Sequence, residues 1–391
     1  MSPGRPLTVL HLVANRWWTG SAEPVIRLLT GLRARGHRVL LGLIAGDRFE
    51  QKAREAGLEP LPGLSLEVRG NPLRALADLR RVRAIMRAES VDVVHTHHSH
   101  DHWLGFLARR GSPAALVRTF HNARAVRPGW PSPALYRRTD ALIAVSREIE
   151  ERARHAGVPA ERLARVDGVV DVGRFETGDG GAAIRKEFDL GGAPVVGCVA
   201  RLAARRGHEL LIRGFRLVLA EYPGARLLLV GKGEGRSRLE ALVAELGLSR
   251  EVLFTGYRDI DLPGVLQALD AFALMGAGSD ESCRAALEAM AAGRAVIGRR
   301  VGALPETVIH GVTGLLVDDD RPESVATALR ALIAEPERAA AMGRAGRERA
   351  RALYGADAHA ARVEEIYREA LKRLSANWGS AGAISGPPHM R

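Results

Sequence analysis

The chain has 391 residues, 46% of them apolar, which is enough to fill two ordinary hydrophobic cores and makes two domains the expectation. Its strongest apolar stretches, such as 7–14 and 40–45, fall well short of the roughly 18 residues that a spanning helix needs, which argues against a transmembrane segment. The net charge of +12 would ordinarily suggest nucleic acid or an anionic membrane as partner, yet lysine occurs only at 52, 186, 232 and 372 and the remaining basic residues are arginine. That skew, beside abundant Ala and Gly, reads as the coding bias of a GC-rich genome, and no nucleic-acid partner is expected. With only Cys198 and Cys283 there is no disulfide framework and no cysteine-rich metal site, so a reducing cytoplasm fits.

From residue 7 onward, apolar runs of strand length alternate with amphipathic helical stretches, the sequence form of an α/β protein with parallel sheets. The first run, 7–13, reads as a strand, because Asn15, Arg16, Trp17 and Trp18 stand where a signal peptide would carry its small-residue cleavage site. Further strands are expected at 38–44, 91–95, 115–120, 141–145 and 163–166. Helix 72–87 sets Leu73, Leu76, Leu79, Val82 and Met86 on one side and arginines on others; a solvated face is preferred over contact with anionic lipid at the inner face of a membrane. A turn-rich break at 176–181 places a linker near 177–182. The alternation restarts with strands near 194–200, 226–230, 251–254, 271–274, 295–298 and 314–317. The expected domains are therefore 1–178 and 179–355, followed by a helix over 356–374 that returns to the N-terminal domain and a frayed tail over 375–391. Two such doubly wound sheets in tandem place ligands at the carboxyl ends of their strands, and these ends can face one another across a crevice.

The most informative stretch is Gly-Ser-Asp-Glu-Ser-Cys-Arg-Ala-Ala-Leu-Glu-Ala-Met-Ala-Ala-Gly (278–293), followed by Gly302-Ala-Leu-Pro-Glu306. Ser279 or Asp280 can cap a helix whose first free N–H groups lie near Ser282 to Ala285, and a helix opening after a strand is an anion site. Asp280 and Glu288 then stand about two turns apart, placed to accept hydrogen bonds from sugar hydroxyls; the alternative is an acidic cap and a surface glutamate.

This stretch resembles the acidic-pair signature of family 4 glycosyltransferases, in which two glutamates separated by seven residues precede Ala-Met-Ala-x-Gly, with Gly-x-x-x-Glu and Gly-x-x-Gly after them. Here the later parts are Gly302 to Glu306 and Gly311 to Gly314. Arg201-Leu-Ala-Ala-Arg-Arg206-Gly207 is similar to the family's Arg-Leu-x-x-x-Lys-Gly, and Gly231-Lys-Gly233 and Phe254-Thr-Gly256 also match. In the first half, Gly20-Ser21-Ala-Glu23 resembles a Gly-Gly-x-Glu loop, Gly36-His37-Arg-Val a Gly-His-x-Val, and Asp167-Gly-Val-Val-Asp171 an Asn-Gly-Val-Asp. The resemblance spans roughly residues 7 to 370.

It implies a GT-B architecture of two Rossmann-like domains facing each other across a deep cleft, and a retaining, metal-independent transfer of a sugar from a nucleotide sugar to a glycan, lipid-linked or small-molecule acceptor. No cofactor is implied. Carried over by position, Glu288 would hold the ribose hydroxyls, Asp280 the donor sugar, and Arg201 and Arg206 the diphosphate, with His121 near the donor sugar. Gly20, Ser21, Gly231, Gly233, Gly256, Glu281, Ser282, Cys283, Arg284 and Ala285 would complete the donor site. The run His95-Thr-His97-His98-Ser-His100-Asp-His102 tempts a metal assignment, but family members carry His-x-His at this strand end, so a structural or acceptor-side role is expected for His95, His97 and His98, and no metal. Trp17 and Trp18 would stack on an acceptor sugar or lie against the hinge.

The chain departs from the pattern where Asp280 replaces the first glutamate and Glu281, Ser282 and Cys283 replace the common Gly-Phe-Gly, which implies a changed donor sugar or weakened donor binding. Cys198, inside an apolar run, reads as core packing. The competing readings are a nucleotide-sugar epimerase or phosphorylase on the same fold, and a catalytically silent nucleotide-binding or partner subunit.

Overall fold

The computed structural model describes residues 4–15, 21–67, 72–176, 180–277 and 281–382, with side chains to residue 376. Two parallel six-stranded sheets form. The first contains β1 (Thr8–Val13), β2 (Arg38–Leu43), β3 (Val93–Thr96), β4 (Ala115–Phe120), β5 (Ala141–Ala144) and β6 (Leu163–Arg165) in the order β2-β1-β3-β4-β5-β6. The second contains β7 (Val195–Val199), β8 (Arg226–Val230), β9 (Val252–Gly256), β10 (Ala271–Leu274), β11 (Ala295–Arg299) and β12 (Gly314–Val317) in the order β12-β11-β10-β7-β8-β9. Central strands such as Phe-Ala-Leu in β10 and Leu-Leu-Val in β8 are buried throughout, because helices cover both faces of a parallel sheet; this is why they read as unbroken apolar runs. Cys198 of β7 belongs to this core, and burial pushes its thiol up to about 12.

The chain forms two compact units, residues 1–166 with 356–391, and residues 167–355. The division thus falls between Val166 and Asp167, at the end of the first sheet, ahead of the turn-rich stretch at 176–181. Tertiary packing draws Val170 to the second unit, where its N–H donates to Tyr354 O. No described helix is long and apolar enough to cross a membrane.

The last helix, Ala356–Gly382, belongs to the first unit and runs eight residues past the end expected for it. Its Ala360, Val363, Ile366, Tyr367 and Ala370 are buried with Leu7, Val9, Leu28 and Leu32. Glu364 anchors it: His37 accepts from Leu7 N–H at Nδ1, which places its proton on Nε2, 3.1 Å from Glu364 Oε2. Partial burial works against the carboxylate, but His37, Arg35 and Arg368 together hold Glu364 down at about 2. The Gly36-His37 pair therefore serves the docking of the last helix. Helix Pro72–Ala88 buries Val82, Ile85 and Met86, whereas Leu73 and Leu76 of its first turns stay exposed, so the apolar stripe read from the sequence is only half covered.

In the first sheet strand order reverses between β1 and β3, and in the second between β7 and β10. Such reversals open crevices at the carboxyl ends of the strands. In both units the motif-bearing loops follow these strands.

The docking of the last helix generates a test. A Cβ on Gly31 would stand 2.8 Å from Ala360 Cβ and 2.9 Å from Ala356 O. Gly31→Val is expected to lower unfolding stability by roughly 1–3 kcal/mol through overpacking, read as a lower urea midpoint.

Candidate functional site

In the second unit, the loops after β7, β8 and β10 converge through bare backbone. A Cβ on Gly231 would lie inside the van der Waals surface of Ala200 O, and one on Gly233 inside that of Leu202 O. Gly231 also has φ +148°, so both space and conformation demand glycine there. The two loops are laced together by Leu202 N–H to Lys232 O (3.1 Å) and Gly235 N–H to Leu202 O (2.8 Å). Gly231 N–H in turn donates to Gly256 O at 2.8 Å, which brings the end of β9 into the same cluster. On the other side, a Cβ on Gly276 would meet Arg206 C at 2.7 Å, and Arg206 Nη1 donates to Ala277 O at 2.9 Å. Arg201 Nη2 pairs with Glu234 Oε2 at 2.8 Å, with both side chains about two-thirds exposed (64% and 65%). An ion pair this exposed is weak and yields readily to a better anion. Two guanidiniums are thus carried by one loop at the carboxyl end of β7.

The helix after β10 starts later than its sequence suggests. It spans Arg284–Ala291, with Cys283 as its N-terminal flanking residue in the left-handed region (φ +53°). The helical periodicity of Ala-Ala-Leu-Glu-Ala-Met is intact, and Cys283 C=O accepts the first helical hydrogen bond, from Ala286 N–H at 2.9 Å. The Cys283 side chain faces inward: it is buried, with Sγ 3.6 Å from Glu281 O and 3.8 Å from Val301 O. Ser282 is buried as well, and Gly168 leaves it room, since a Cβ there would come within 2.7 Å of Ser282 Cβ. The Asp167-Gly168 stretch therefore shapes this turn from below. Glu281 O accepts from Ala303 N–H at 2.8 Å, fastening the turn to the Gly302 loop. Glu288, in the second turn of the helix, is buried and pairs with Arg284 Nε at 3.1 Å, one helical turn away. A buried carboxylate is tolerable only with such partners. Asp280, Gly20, Trp17 and Trp18 lie outside the described residues. Ser21 is buried at the start of helix Ala22–Ala34, and its side chain makes no capping bond to it.

In the first unit the histidines form a buried cluster. His95 Nδ1 lies 2.6 Å from Tyr367 OH and Nε2 lies 2.8 Å from Thr119 Oγ1, so both ring nitrogens are occupied. His97 bridges two rings: Nε2 is 3.2 Å from His11 Nδ1, and Nδ1 is 3.2 Å from His121 Nε2. Burial holds His11 down at about 3 and, with the neighbouring imidazoles, keeps His95 and His97 well below the ordinary value, so these three rings are neutral near pH 7. Of the histidines expected on the acceptor side, His98 is partly exposed. The ring nitrogens of His11, His95 and His97 come within 4.8 Å of one another, the spacing of a metal site. The rings are stacked, however, with His95 and His97 centroids 4.5 Å apart, and a metal would have to take a His95 nitrogen from Tyr367 or Thr119.

Three residues central to this cluster were not singled out from the sequence. His11 is the register partner of His95 across β1 and β3; a histidine in the middle of an apolar strand was the available signal. Asp101, fully buried, accepts from the backbone N–H groups of Ala14 (3.1 Å), His97 (3.3 Å) and His98 (2.8 Å), pinning the ends of β1 and β3 together. Arg118 is also buried and donates to His102 Nδ1 at 3.0 Å, which leaves the His102 proton on Nε2, 2.8 Å from Thr139 Oγ1.

Comparison with known proteins decides the family. Residues 182–349 match the model for glycosyl transferases group 1, and residues 18–174 match that for glycosyltransferase family 4. The GDP-mannose-dependent alpha-(1-6)-phosphatidylinositol monomannoside mannosyltransferase of Mycobacterium tuberculosis is 32% identical over 365 residues, covering 87% of this chain and 91% of that protein. The chain belongs to the family 4 glycosyltransferases. This glycosyltransferase is also 31% identical over 333 residues to the D-inositol 3-phosphate glycosyltransferase of Thermobispora bispora, covering 76% and 75% of the two chains. The fold is GT-B. A glycosyltransferase from Rickettsia africae superposes with a TM-score of 0.82 at 19% identity, covering 94% of this chain and all of that one (100%). Anabaena HepE in complex with UDP and glucose superposes at 0.77 and 21%, covering 92% and 98%. These relatives are transferases, which sets the epimerase and silent-subunit readings aside.

The neutral histidines generate a pH dependence. Unfolded, each titrates near 6.5, whereas folded His11 titrates near 3. Below pH 6.5 the unfolded chain binds more protons, so the contribution to stability is complete above that value and is lost as pH falls toward 3. Thermal melts between pH 7.5 and 4 should show stability falling by up to about 1.4 kcal/mol per pH unit for each buried imidazole, with a shallower slope in His11→Phe. An unchanged slope in that variant would remove His11 from the account.

Proposed function

We propose that this glycosyltransferase takes a hexose from a nucleoside-diphosphate sugar held on the second unit and transfers it, with retention of anomeric configuration and without a metal ion, to a glycan, lipid-linked or small-molecule acceptor. The observation that carries the reading is the loop after β7, which presents Arg201 and Arg206 at the strand-order reversal beside the opening of helix Arg284–Ala291. Breaking the bond from the anomeric carbon to the phosphate oxygen develops negative charge on the diphosphate. Two guanidiniums and the N-terminal end of helix Arg284–Ala291 stabilise that charge where a divalent ion would otherwise be needed. Glu288 accepts from the ribose hydroxyls. By their place in the family pattern, Asp280 and His121 are assigned to the sugar. The acceptor oxygen bonds to the anomeric carbon on the face the phosphate leaves, and the departing phosphate oxygen takes the acceptor proton, so no enzymic nucleophile is required.

Relatives whose names specify GDP-mannose, phosphatidylinositol monomannoside and D-inositol 3-phosphate make GDP-mannose and an inositol-phosphate acceptor the first pair to test. The replaced turn at Glu281–Cys283 makes a panel of nucleotide sugars necessary beside it. For a lipid-linked acceptor, the exposed Leu73 and Leu76, on a helix that also exposes Arg80, Arg81 and Arg87, suit peripheral contact with an anionic membrane face.

Purified protein in EDTA, given donor and acceptor, should release nucleoside diphosphate. Glu288→Gln is expected to lower kcat/KM for the donor by about 30-fold, and Arg206→Ala to lower kcat by roughly a hundredfold or more. Absence of diphosphate release and of nucleotide binding across the panel would overturn the reading, and a requirement for added divalent ion would overturn its metal-independent part.

A further inference from the structure

Charge on the first unit is distributed unevenly, in a way that the total does not reveal. Residues 102–139 hold seven arginines and no aspartate or glutamate. Two of the seven are accounted for: Arg118 is buried, and Arg109 pairs with Asp140 just beyond the run. Arg124 and Arg127 are exposed on the loop that leaves β4, and no carboxylate among the described residues pairs with either. The same loop holds out Trp130, which is 88% exposed. Indoles are mostly buried, and tryptophan with arginine is the pairing that carries binding energy most often. Together they compose a surface suited to an anionic ligand with an apolar face.

The backbone beneath these side chains is fixed. Asn122 Oδ1 accepts from Ala125 N–H at 3.0 Å, closing the turn that carries Arg124. Val126 is buried, and Arg127 N–H donates to the hydroxyl of the buried Tyr136 at 3.0 Å. Arg118 Nη2 donates both to Ala125 O (3.3 Å) and to Ser99 Oγ (3.2 Å). It thereby ties the loop after β4 to helix Ser99–Ala108, which follows β3. Because β3 stands at the strand-order reversal, the tie holds the loop at the ligand-binding end of this sheet. A loop anchored at three points loses little freedom when it binds.

We infer that Arg124, Arg127 and Trp130 recognise the acceptor, and that the acceptor carries a phosphate on a hydroxylated ring. The guanidiniums take the phosphate, and the indole packs on the C–H face of the ring. As an acceptor surface it rests on the transfer reading above. Tryptophan and arginine also meet at membrane surfaces, but insertion there draws on several apolar side chains. Among the described residues between Trp103 and Tyr257, Trp130 alone is a large apolar side chain left exposed. A lone indole suits a single ring. The ring phosphate has two possible sources, a free polyol or sugar phosphate and a lipid headgroup, which present the same chemistry.

The indole N–H signal of Trp130 in proton–nitrogen NMR of the full chain, assigned with Trp130→Phe, reads the surface directly. Inositol 3-phosphate or glucose 6-phosphate should shift it saturably, with a Kd about tenfold below that of inositol or glucose. Arg124→Gln with Arg127→Gln should raise the Kd for the phosphates about tenfold and leave the unphosphorylated rings unchanged. A shift with phosphatidylinositol vesicles, and none with the soluble phosphates, would assign the lipid headgroup as the source. An equal shift with phosphatidylserine vesicles of the same charge would make the loop a general membrane contact and overturn the inference. So would the absence of any shift with phosphorylated rings and phosphatidylinositol vesicles alike. In transfer assays, Trp130→Ala should lower kcat/KM for the acceptor about tenfold and Trp130→Phe should restore most of it, with the Kd for nucleoside diphosphate within about twofold. Acceptor kinetics untouched by Trp130→Ala and by the double arginine variant would overturn the acceptor role. A wild-type chain that transfers no sugar would fail the proposed function instead, while the titration would still decide the surface.

Discussion

Close approach of bare backbone at the carboxyl ends of β7, β8 and β10 is the constraint on which the second unit depends. Gly231 and Gly233 admit the carbonyls of Ala200 and Leu202, and Gly276 admits the backbone of Arg206. A side chain at any of these positions would push the loops apart. Once they touch, Arg201 and Arg206 are carried by a loop anchored on both sides, by Gly235 to Leu202 and by Arg206 to Ala277.

The first unit solves the matching problem with a carboxylate. Parallel strands end with backbone N–H groups that the sheet no longer satisfies, and burying them unpaired is costly. Asp101, the third residue of helix Ser99–Ala108, accepts from one such group after β1 and from two after β3. The same residue supplies negative charge near buried Arg118, whose guanidinium is pulled down by burial and partly restored by Tyr136 and Asp101. Around that fixed point the histidines stack. Their neutrality follows from burial, and their hydrogen bonds follow from the register that sets His11 beside His95.

The departures from the family pattern look different in three dimensions than in one. Ser282 and Cys283 stand where the pattern has small or aromatic residues, yet both are buried: Ser282 against Gly168, and Cys283 toward Val301 O. Their side chains therefore alter the turn from inside, and the left-handed backbone at Cys283 delays the helix. The first helical residue is accordingly Arg284.

All twelve strands of the described residues were legible in the sequence, because a parallel sheet covered on both faces demands short continuous apolar runs, and glycine marks the loops between them. The motif of the second unit was legible for a related reason: Gly231, Gly233 and Glu288 are local requirements of a turn or a helix, written at fixed spacing. What only the tertiary structure decided is whatever depends on residues distant in the chain. The division at Val166, the docking of the last helix through His37 and Glu364, and the link from His11 through His97 to His121 arise from strand order and register. Neither is encoded in any single stretch, since each is fixed only when several apolar surfaces are buried together.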